Sequence, residues 1–222
     1  HREEARVLDE LRALGLEVWD RDENGEQYGV RAHGGHFRGH ADAIVRGLPE
    51  APATAHLVDV KTINAKKYAE LKKHGFAKTF PRYMAQAQAY MGLLELERAA
   101  FIFVVKDTDE IHVERFAFDE SLFDELMEKA GRVIFAAEPP PGVSTDPEWW
   151  ECKTCPFFEH CHGTAAPAVS CRTCAHVTPM PDGTWRCELH DKTLSVAEQR
   201  AGCDDHRMIP STISTFAELL DA

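Results

Sequence analysis

The chain lacks any long hydrophobic run. Its 222 residues contain no apolar stretch near the ~18 residues that a membrane-spanning helix requires. The first residues also lack the pattern of a signal peptide, so we expect a cytoplasmic protein without a membrane segment. The hydrophobic content of 44% is ordinary for a globular protein, and the length suffices for one substantial core plus an appendage.

Positive charge is also scarce. The chain has 25 Lys and Arg residues against 37 Asp and Glu residues, which gives a formal net charge of −12. This balance is opposite to the one that phosphate binding favours, although bound cations would offset part of it. The basic residues that precede Gln86 cluster in one stretch and form either a solvated helix face or a phosphate-binding patch: Lys61, Lys66, Lys67, Lys72, Lys73, Lys78 and Arg82.

Cysteine is absent from the first 151 residues, and all seven cysteines lie between positions 152 and 203. The composition changes after the breaker Glu138-Pro-Pro-Pro-Gly142, so a boundary is expected within 138–150. No internal repeat or low-complexity tract is evident. We therefore predict three parts: a core over 1–140, a first cysteine module over 141–165 and a metal-binding tail over 166–222.

Hydrophobic periodicity predicts an α/β fold, with a mixed central sheet flanked by helices and a small C-terminal cysteine-rich region. Helices are expected at 3–14, 65–73, 81 to about 97, 120–137 and, in the tail, 195–202. Strands are expected at 16–19, near 27–32, and at 43–45, 56–62, 99–105 and 111–118.

The most informative motif is Asp59-Val60-Lys61 within the predicted strand 56–62. Residues two apart on a strand point to the same face, so Asp59 and Lys61 project together. Asp42 opens the preceding apolar strand, and a hairpin would bring it beside Asp59. Two carboxylates and an ammonium can hold a hard divalent cation and act on a water molecule. The alternative is a solvated ion pair without function.

A second polar pair lies on the helix that begins at Pro81, a residue suited to the first helical turn. Gln86 and Tyr90 are four residues apart and therefore share one helix face. One interpretation is that they orient a polar ligand over the carboxylates. The other is that Tyr90 belongs to the core and Gln86 to the surface.

Taken in order, Gly39-xx-Asp42, Asp59-x-Lys61 and Gln86-xxx-Tyr90 resemble the motifs of the PD-(D/E)xK nuclease superfamily. The similarity is to its RecB-like branch, which includes lambda-type phage exonucleases and CRISPR-associated iron–sulfur nucleases. It covers about residues 1–161 and implies a restriction-endonuclease-like core. The chain departs from the family in having Ala41 before Asp42 and an aspartate, rather than glutamate, before Lys61.

The resemblance implies a metal-dependent DNA nuclease, most simply an exonuclease of phage or bacterial recombination or repair. Asp42 and Asp59 would bind Mg²⁺ or Mn²⁺, joined by the Val60 carbonyl and by His1, which fits the histidine of the family's N-terminal helix. Lys61 would orient the water, help to deprotonate it or neutralise the phosphate.

Gln86 and Tyr90 would position the DNA strand. DNA is the expected partner, with a recombination or single-strand-annealing protein as a further candidate, and an oligomer is left open because lambda-type relatives form rings. The rival interpretations are a zinc-stabilised, non-catalytic binding module and a redox protein that uses its cysteines directly.

The first cysteine group, Cys152, Cys155 and Cys161, has the spacing C-x2-C-x5-C and leaves one metal ligand missing. His160 or His162 could complete a zinc site. The resemblance implies instead a 4Fe–4S cluster whose fourth cysteine precedes the N-terminal histidine motif, in which case His1 would not be the true N-terminus.

The second cysteine group predicts a tetrahedral structural zinc site. Cys171 and Cys174 form a C-x2-C pair, and Cys187 supplies a third thiolate. Cys203 is the preferred fourth ligand, since the predicted helix 195–202 would return the chain to the site. His190 is the alternative, and His176 and His206 are interpreted as ordinary polar residues.

Overall fold

A computed structural model of the chain describes residues 2–163 and 165–212. The chain divides into two compact units, one ending at Lys129 and the other beginning at Ala130. The three-part division at 140 and 165 remains a prediction. In the described part of the chain, no helix has the length and apolar character needed to cross a membrane.

The first unit is built on a five-stranded sheet in the order β1-β4-β5-β6-β7. Strands β5 and β6 are parallel and the other neighbours are antiparallel, so the sheet is mixed as predicted. A separate hairpin pairs β2 with β3, a strand that the sequence did not predict. The strands are β1 Glu17–Trp19, β2 Gly29–Ala32, β3 Phe37–His40, β4 Ala43–Arg46, β5 Ala55–Ile63, β6 Arg98–Val105 and β7 Ile111–Ala117.

Five helices accompany these strands. They are α1 Arg2–Ala13, α2 Ala65–His74, α3 Phe76–Thr79, α4 Pro81–Leu93 and α5 Glu120–Ile134. Helix α4 ends earlier than the predicted position near 97. Leu94 already leaves helical geometry, and Glu95 has a φ of +56°, a left-handed conformation that a continuing helix excludes.

The two central strands are buried on both faces. On one face, Leu57, Phe101 and Phe103 belong to the core cluster that also contains residues of α4. On the other face, Val58 and Ile102 pack in a second cluster with Val7 and Leu8 of α1. A strand enclosed in this way is expected to be apolar throughout, so polar residues within it are exceptional.

The second unit has short elements only. They are α6 Trp150–Lys153, α7 Phe158–Cys161, β8 Val177–Pro179, β9 Trp185–Cys187, β10 Lys192–Thr193 and α8 Val196–Ala201. The strands form an antiparallel sheet in the order β10-β9-β8, which the sequence did not predict. Helix α8 confirms the prediction of a short helix there, and Ser195 and Glu198 cap its N-terminus reciprocally.

Candidate active site

The antiparallel pairing of β4 with β5 places Asp42 at the centre of the sheet. The last pair in this register is Ala43 with Val58, so one further step along the hairpin puts Asp42 opposite Asp59. The backbone N–H of Val60 donates a hydrogen bond to Asp42 Oδ2 at 3.0 Å. The predicted hairpin is confirmed, and it holds the Asp42 carboxylate against β5.

Lys61 joins the two carboxylates, as the spacing of two residues on a strand predicts. Its Nζ forms an ion pair with Asp59 Oδ1 and lies 3.9 Å from Asp42 Oδ2. Asp59 is only 5% exposed. The three side chains therefore form one compact, partly enclosed group.

Burial sets the charge state of this group. Removal from water and the nearby Asp42 carboxylate together raise the pKa of Asp59 to about 6, although Lys61 opposes the shift. Burial alone would lower the pKa of Lys61, but Asp59 and Asp42 outweigh it and the net pKa is raised. At neutral pH Lys61 is therefore cationic. Asp59 is mostly ionised at that pH, and its negative charge would be stabilised by a bound cation.

A third carboxylate, which the sequence did not single out, approaches from α1. Burial and the Asp42 charge raise the pKa of Glu4, while Lys61 and Arg21 lower it, so Glu4 lies within electrostatic reach of the group. Acidic residues are common in the first turn of a helix because they complement its dipole. Glu3 and Glu4 both fit that general preference, so the sequence alone could not indicate which of them lies near Asp42.

Tyr83 is a second residue that the sequence did not identify. Its ring centroid lies 5.5 Å from Lys61 Nζ, within cation–π range. The ring is fixed by stacking on Phe80, with centroids 5.3 Å apart, and on Phe101 at 6.0 Å. The Lys61 ammonium thus has two carboxylates and one held aromatic ring as neighbours.

Tyr90 and Gln86 occupy different environments on α4. Tyr90 is 8% exposed and belongs to the core cluster. Its hydroxyl lies so close to Gly39 that a β-carbon there would overlap it at 2.0 Å, which explains the glycine of Gly39-xx-Asp42. Gln86 is half-buried, and among the described residues it makes no hydrogen bond or ion pair with the carboxylate–lysine group. Gln88 is the buried glutamine: its side chain donates to the Ala117 carbonyl at 3.0 Å.

The structure bears differently on the predicted metal ligands His1 and Val60. His1 lies outside the described residues. Val60 is buried, and its N–H is the group that contacts Asp42, while the role of its carbonyl as a ligand remains a prediction.

The donor chemistry fits a hard divalent cation. Asp42, Asp59 and Glu4 offer carboxylate oxygens, the ligands that Mg²⁺ and related ions prefer. Within the described residues, the buried Oδ1 of Asp59 has Lys61 as its one charged partner. A carboxylate oxygen carries two lone pairs, so one partner leaves it capacity to coordinate an ion.

The first cysteine group lies on α6, on α7 and in the turn between them, where the Cys155 N–H donates to the Cys152 carbonyl at 3.0 Å. Burial and the adjacent thiols of Cys155 and Cys161 raise the pKa of Cys152. His160 Nδ1 lies 3.0 Å from the Ala165 carbonyl, which leaves its Nε2 as the available donor atom. His162 Nε2 is buried and has no hydrogen-bond partner among the described residues. All seven cysteines are free thiols.

In the second cysteine group, Cys171, Cys187 and Cys203 line one pocket, but no three of the described cysteine sulfurs lie within 4.8 Å of one another. Cys171, Cys174 and Cys187 are buried and Cys203 is exposed. The Arg207 N–H donates to Cys174 Sγ at 3.5 Å. Among the described residues, the set of potential ligand atoms that lie within 4.8 Å of one another is His190, Cys203 and Asp205. Both predicted candidates for the fourth ligand therefore lie in one place. His206 Nε2 contacts Thr173 Oγ1 at 3.3 Å, away from this set.

The mixed sheet presents two carboxylates and a lysine from adjacent central strands, an arrangement that can hold a divalent cation. The sequence comparison gives the class of protein. The family model for the PD-(D/E)XK nuclease superfamily matches residues 1–162, and the chain belongs to this superfamily. No curated protein matches the chain.

Solved structures show partial likeness. The structure described as SSO0001 has 18% sequence identity and a TM-score of 0.43, over 73% of this chain and 68% of that one. LHK-Exo in complex with dAMP has 22% identity and a TM-score of 0.42, over 58% and 60%. A phage-related exonuclease from Haemophilus somnus 129PT has 16% identity and a TM-score of 0.35, over 59% and 65%. The chain thus spans less than two thirds of both exonucleases, and these likenesses are too distant to bear on function.

Proposed function

We propose that the protein is a Mg²⁺- or Mn²⁺-dependent deoxyribonuclease, and specifically an exonuclease of phage or bacterial DNA recombination or repair. The observation that carries the proposal is the group of Asp42, Asp59 and Lys61 at the centre of the sheet, in a chain of the PD-(D/E)XK superfamily. Its substrate is DNA, and the bond that it hydrolyses is the phosphodiester.

Asp42 and Asp59 would hold the cation, with the Val60 carbonyl and His1 as the ligands implied by the resemblance and Glu4 as one added by its proximity. A bound divalent ion supplies a water of lowered pKa and stabilises charge on the scissile phosphate. The protein provides a buried carboxylate at Asp59, where few competing hydrogen bonds reach the donor oxygen.

Lys61 acts as a fixed cation. Because its two carboxylate neighbours raise its pKa, it stays protonated at neutral pH. An ammonium in that state orients the attacking water and neutralises the phosphate, and it is a poor general base. The raised pKa of Lys61 therefore favours orientation of the water and neutralisation of the phosphate over deprotonation of the water.

Gln86 and Tyr90 contribute differently to DNA binding. The half-buried Gln86 is available to contact the DNA strand, while Tyr90 packs from the core against Gly39 of β3. Some lysines of the basic stretch already have neighbours: Lys67 pairs with Glu70 at 2.9 Å. The exposed members that remain for the phosphate backbone lie on α2 and α3: Lys66, Lys73 and Lys78.

The cysteine groups would bind structural metals. We assign a 4Fe–4S cluster, or zinc, to Cys152, Cys155 and Cys161, and zinc to the second group. Thiolate donors suit both ions, and the buried Nε2 of His162 supports zinc as the alternative in the first group. A cytoplasmic location in a bacterial cell or phage-infected host, and a single-strand-annealing partner, complete the proposal.

The test is the degradation of linear DNA by the purified protein with Mn²⁺, with and without EDTA. The proposal predicts cleavage that stops on chelation and that is lost in Lys61→Met. Binding of DNA without any cleavage would contradict it and favour the non-catalytic binding module. Release of mononucleotides from ends, rather than internal nicking of circular DNA, would support the exonuclease assignment.

A further inference from the structure

The tail contains a pocket lined by more metal donors than one zinc ion can use. The pocket has a volume of about 240 Å³, and its lining includes Cys171, Cys187, His190 and Cys203. Cys174 is close as well, because its backbone N–H donates a hydrogen bond to the Cys171 carbonyl at 3.3 Å. Three thiols and one imidazole therefore line the pocket, and a fourth thiol lies one turn from Cys171.

Local structure explains why Cys203 reaches this pocket. Helix α8 ends at Gly202, whose φ of +71° is a left-handed conformation that favours glycine. A β-carbon at Gly202 would also lie 3.4 Å from Val169 and 3.5 Å from Ser170, so the turn is tightly packed. The reversal of the chain at this glycine returns Cys203 to the side of Cys171.

His190 reaches the same position from the other side of the pocket. Its Nε2 lies 3.9 Å from Cys203 Sγ and 3.3 Å from Asp205 Oδ2. A sulfur and a nitrogen at this separation can bind one tetrahedral ion after a small adjustment, given zinc–ligand distances of about 2.0–2.3 Å. Asp205 is the poorer candidate, since zinc in a thiolate site favours sulfur and imidazole over carboxylate.

Solvent exposure distinguishes the three buried thiols from the two donors that can replace each other. Cys171, Cys174 and Cys187 are between 5% and 8% exposed, whereas Cys203 and His190 are both exposed. Three buried thiols are held by their surroundings and cannot turn to solvent without disrupting the unit. The two exposed donors can exchange at low cost.

We propose that the tail binds one zinc ion through Cys171, Cys174 and Cys187, and that Cys203 and His190 are interchangeable fourth ligands. Cys203 occupies the position in the intact protein, and His190 takes it when Cys203 is lost. Charge permits either arrangement. Lys192 and Glu198 both line the pocket and pair with each other at 2.7 Å, so together they add no net charge, and a neutral imidazole in place of a thiolate lowers the negative charge of the site.

The test uses Co²⁺ in place of zinc, because its visible absorption distinguishes four-sulfur from three-sulfur, one-nitrogen coordination. The full chain is loaded with Co²⁺, and the contribution of the first cysteine group is removed by subtracting the spectrum of Cys171→Ser/Cys174→Ser. The intact protein should give a four-sulfur spectrum. Cys203→Ser should still bind Co²⁺, with its bands shifted to shorter wavelength.

Two histidine variants make the result specific. Cys203→Ser/His190→Ala should lose tight binding, and His190→Ala alone should keep the four-sulfur spectrum. His176 is the matched control: it lies in the same unit outside the pocket lining, so Cys203→Ser/His176→Ala should behave as Cys203→Ser.

The proposal is overturned if Cys203→Ser loses the ion as completely as the double variant with His190→Ala. It is also overturned if Cys203→Ser keeps an unshifted spectrum, or if the intact tail binds no Co²⁺. None of these readouts depends on DNA cleavage, so the nuclease assignment stands or falls separately.

Discussion

The two candidate metal-binding regions differ in what positions their donor atoms. Asp59 and Lys61 lie on the nine-residue strand β5, which is hydrogen-bonded to β4 on one side and to β6 on the other. Of the tail cysteines, Cys187 lies on the three-residue strand β9 and Cys171 begins a 3-10 helix of three residues, while Cys174 and Cys203 lie outside helices and strands. The buried core around those cysteines consists of two of the thiols themselves and Leu194.

This difference predicts opposite responses to metal removal. Strand register and two core clusters hold the carboxylates, so the first unit should keep its structure without an ion. A small unit that buries little apolar surface depends on its metal, because the binding free energy becomes folding free energy. Chelation should therefore stop the chemistry in one region and unfold the other.

The largest expected effect is the loss of catalysis on changing Lys61. Lys61→Met removes the only cation between Asp42 and Asp59 in the described structure, and we expect cleavage to fall by about 10³-fold or more. Circular dichroism should show an intact fold. Lys129→Met, an exposed change on α5, is the control and should cleave normally. Near-normal cleavage by folded Lys61→Met would contradict the assignment of the active site to this group.

The next effect concerns stability of the tail. Cys174→Ser removes a buried ligand, so residues 166–212 should lose protection from hydrogen exchange and proteolysis. The cleavage rate per folded molecule, and its Mg²⁺ dependence, should change much less, since a four-ligand zinc site has no open position for a water. Cys203→Ser should be milder because His190 can replace it. An intact tail with complete loss of cleavage would instead place this metal in the chemistry.

A smaller effect should follow from removing the ring beside Lys61. Tyr83→Leu should lower kcat by about 2- to 30-fold, the range expected for one cation–π contact. Tyr83→Phe keeps the ring face and should retain nearly full activity. The Lys61 side-chain protons provide a spectroscopic check, since their ring-current shift should persist in Tyr83→Phe and vanish in Tyr83→Leu. Equal losses in both variants would implicate the hydroxyl instead.

The smallest effect is a pH dependence of stability that arises at a buried histidine of β5 outside the carboxylate–lysine group. His56 is 1% exposed, and burial lowers its pKa. The unfolded chain then binds the proton more readily below about pH 6.5, so the contribution of His56 to the free energy of unfolding should fall as the pH drops through that value. His56→Phe should flatten this part of the profile in denaturant titrations between pH 5 and 8. An unchanged slope would exclude His56 as its source.

The sequence predicted that Asp42, Asp59 and Lys61 lie together because the signal was local. An aspartate and a lysine two residues apart interrupt a strand that is otherwise apolar, and the β4–β5 hairpin needs only the register to add Asp42. Glu4 and Tyr83 could not be predicted in this way. Their contribution depends on how α1 and α4 pack against the sheet, and neither residue departs from the ordinary pattern of its helix.

The ends of helices and strands, and the structure of the tail, were also less predictable because they are not encoded in a local hydrophobic pattern. The sequence predicted that α4 would extend to about residue 97. The helix ends at Leu93 instead, because Leu94 leaves helical geometry and Glu95 has a left-handed conformation. In the tail, cysteine spacing predicted two groups of metal ligands, each made of residues that are close together in the sequence. Strands of two or three residues carry too little periodicity to be recognised, so the convergence of His190 on Cys203 was visible only in the structure.

The most direct test of the account is a set of thermal melts of the wild type and Asp59→Asn at pH 7.5, with and without Mn²⁺. With its pKa raised to about 6, the Asp59 carboxylate destabilises the metal-free fold above that pH, by up to about 3 kcal/mol. Asp59→Asn should therefore melt higher than the wild type without metal, and Mn²⁺ should raise only the wild type. A less stable metal-free Asp59→Asn that still responds to Mn²⁺ like the wild type would contradict a cation site at Asp59.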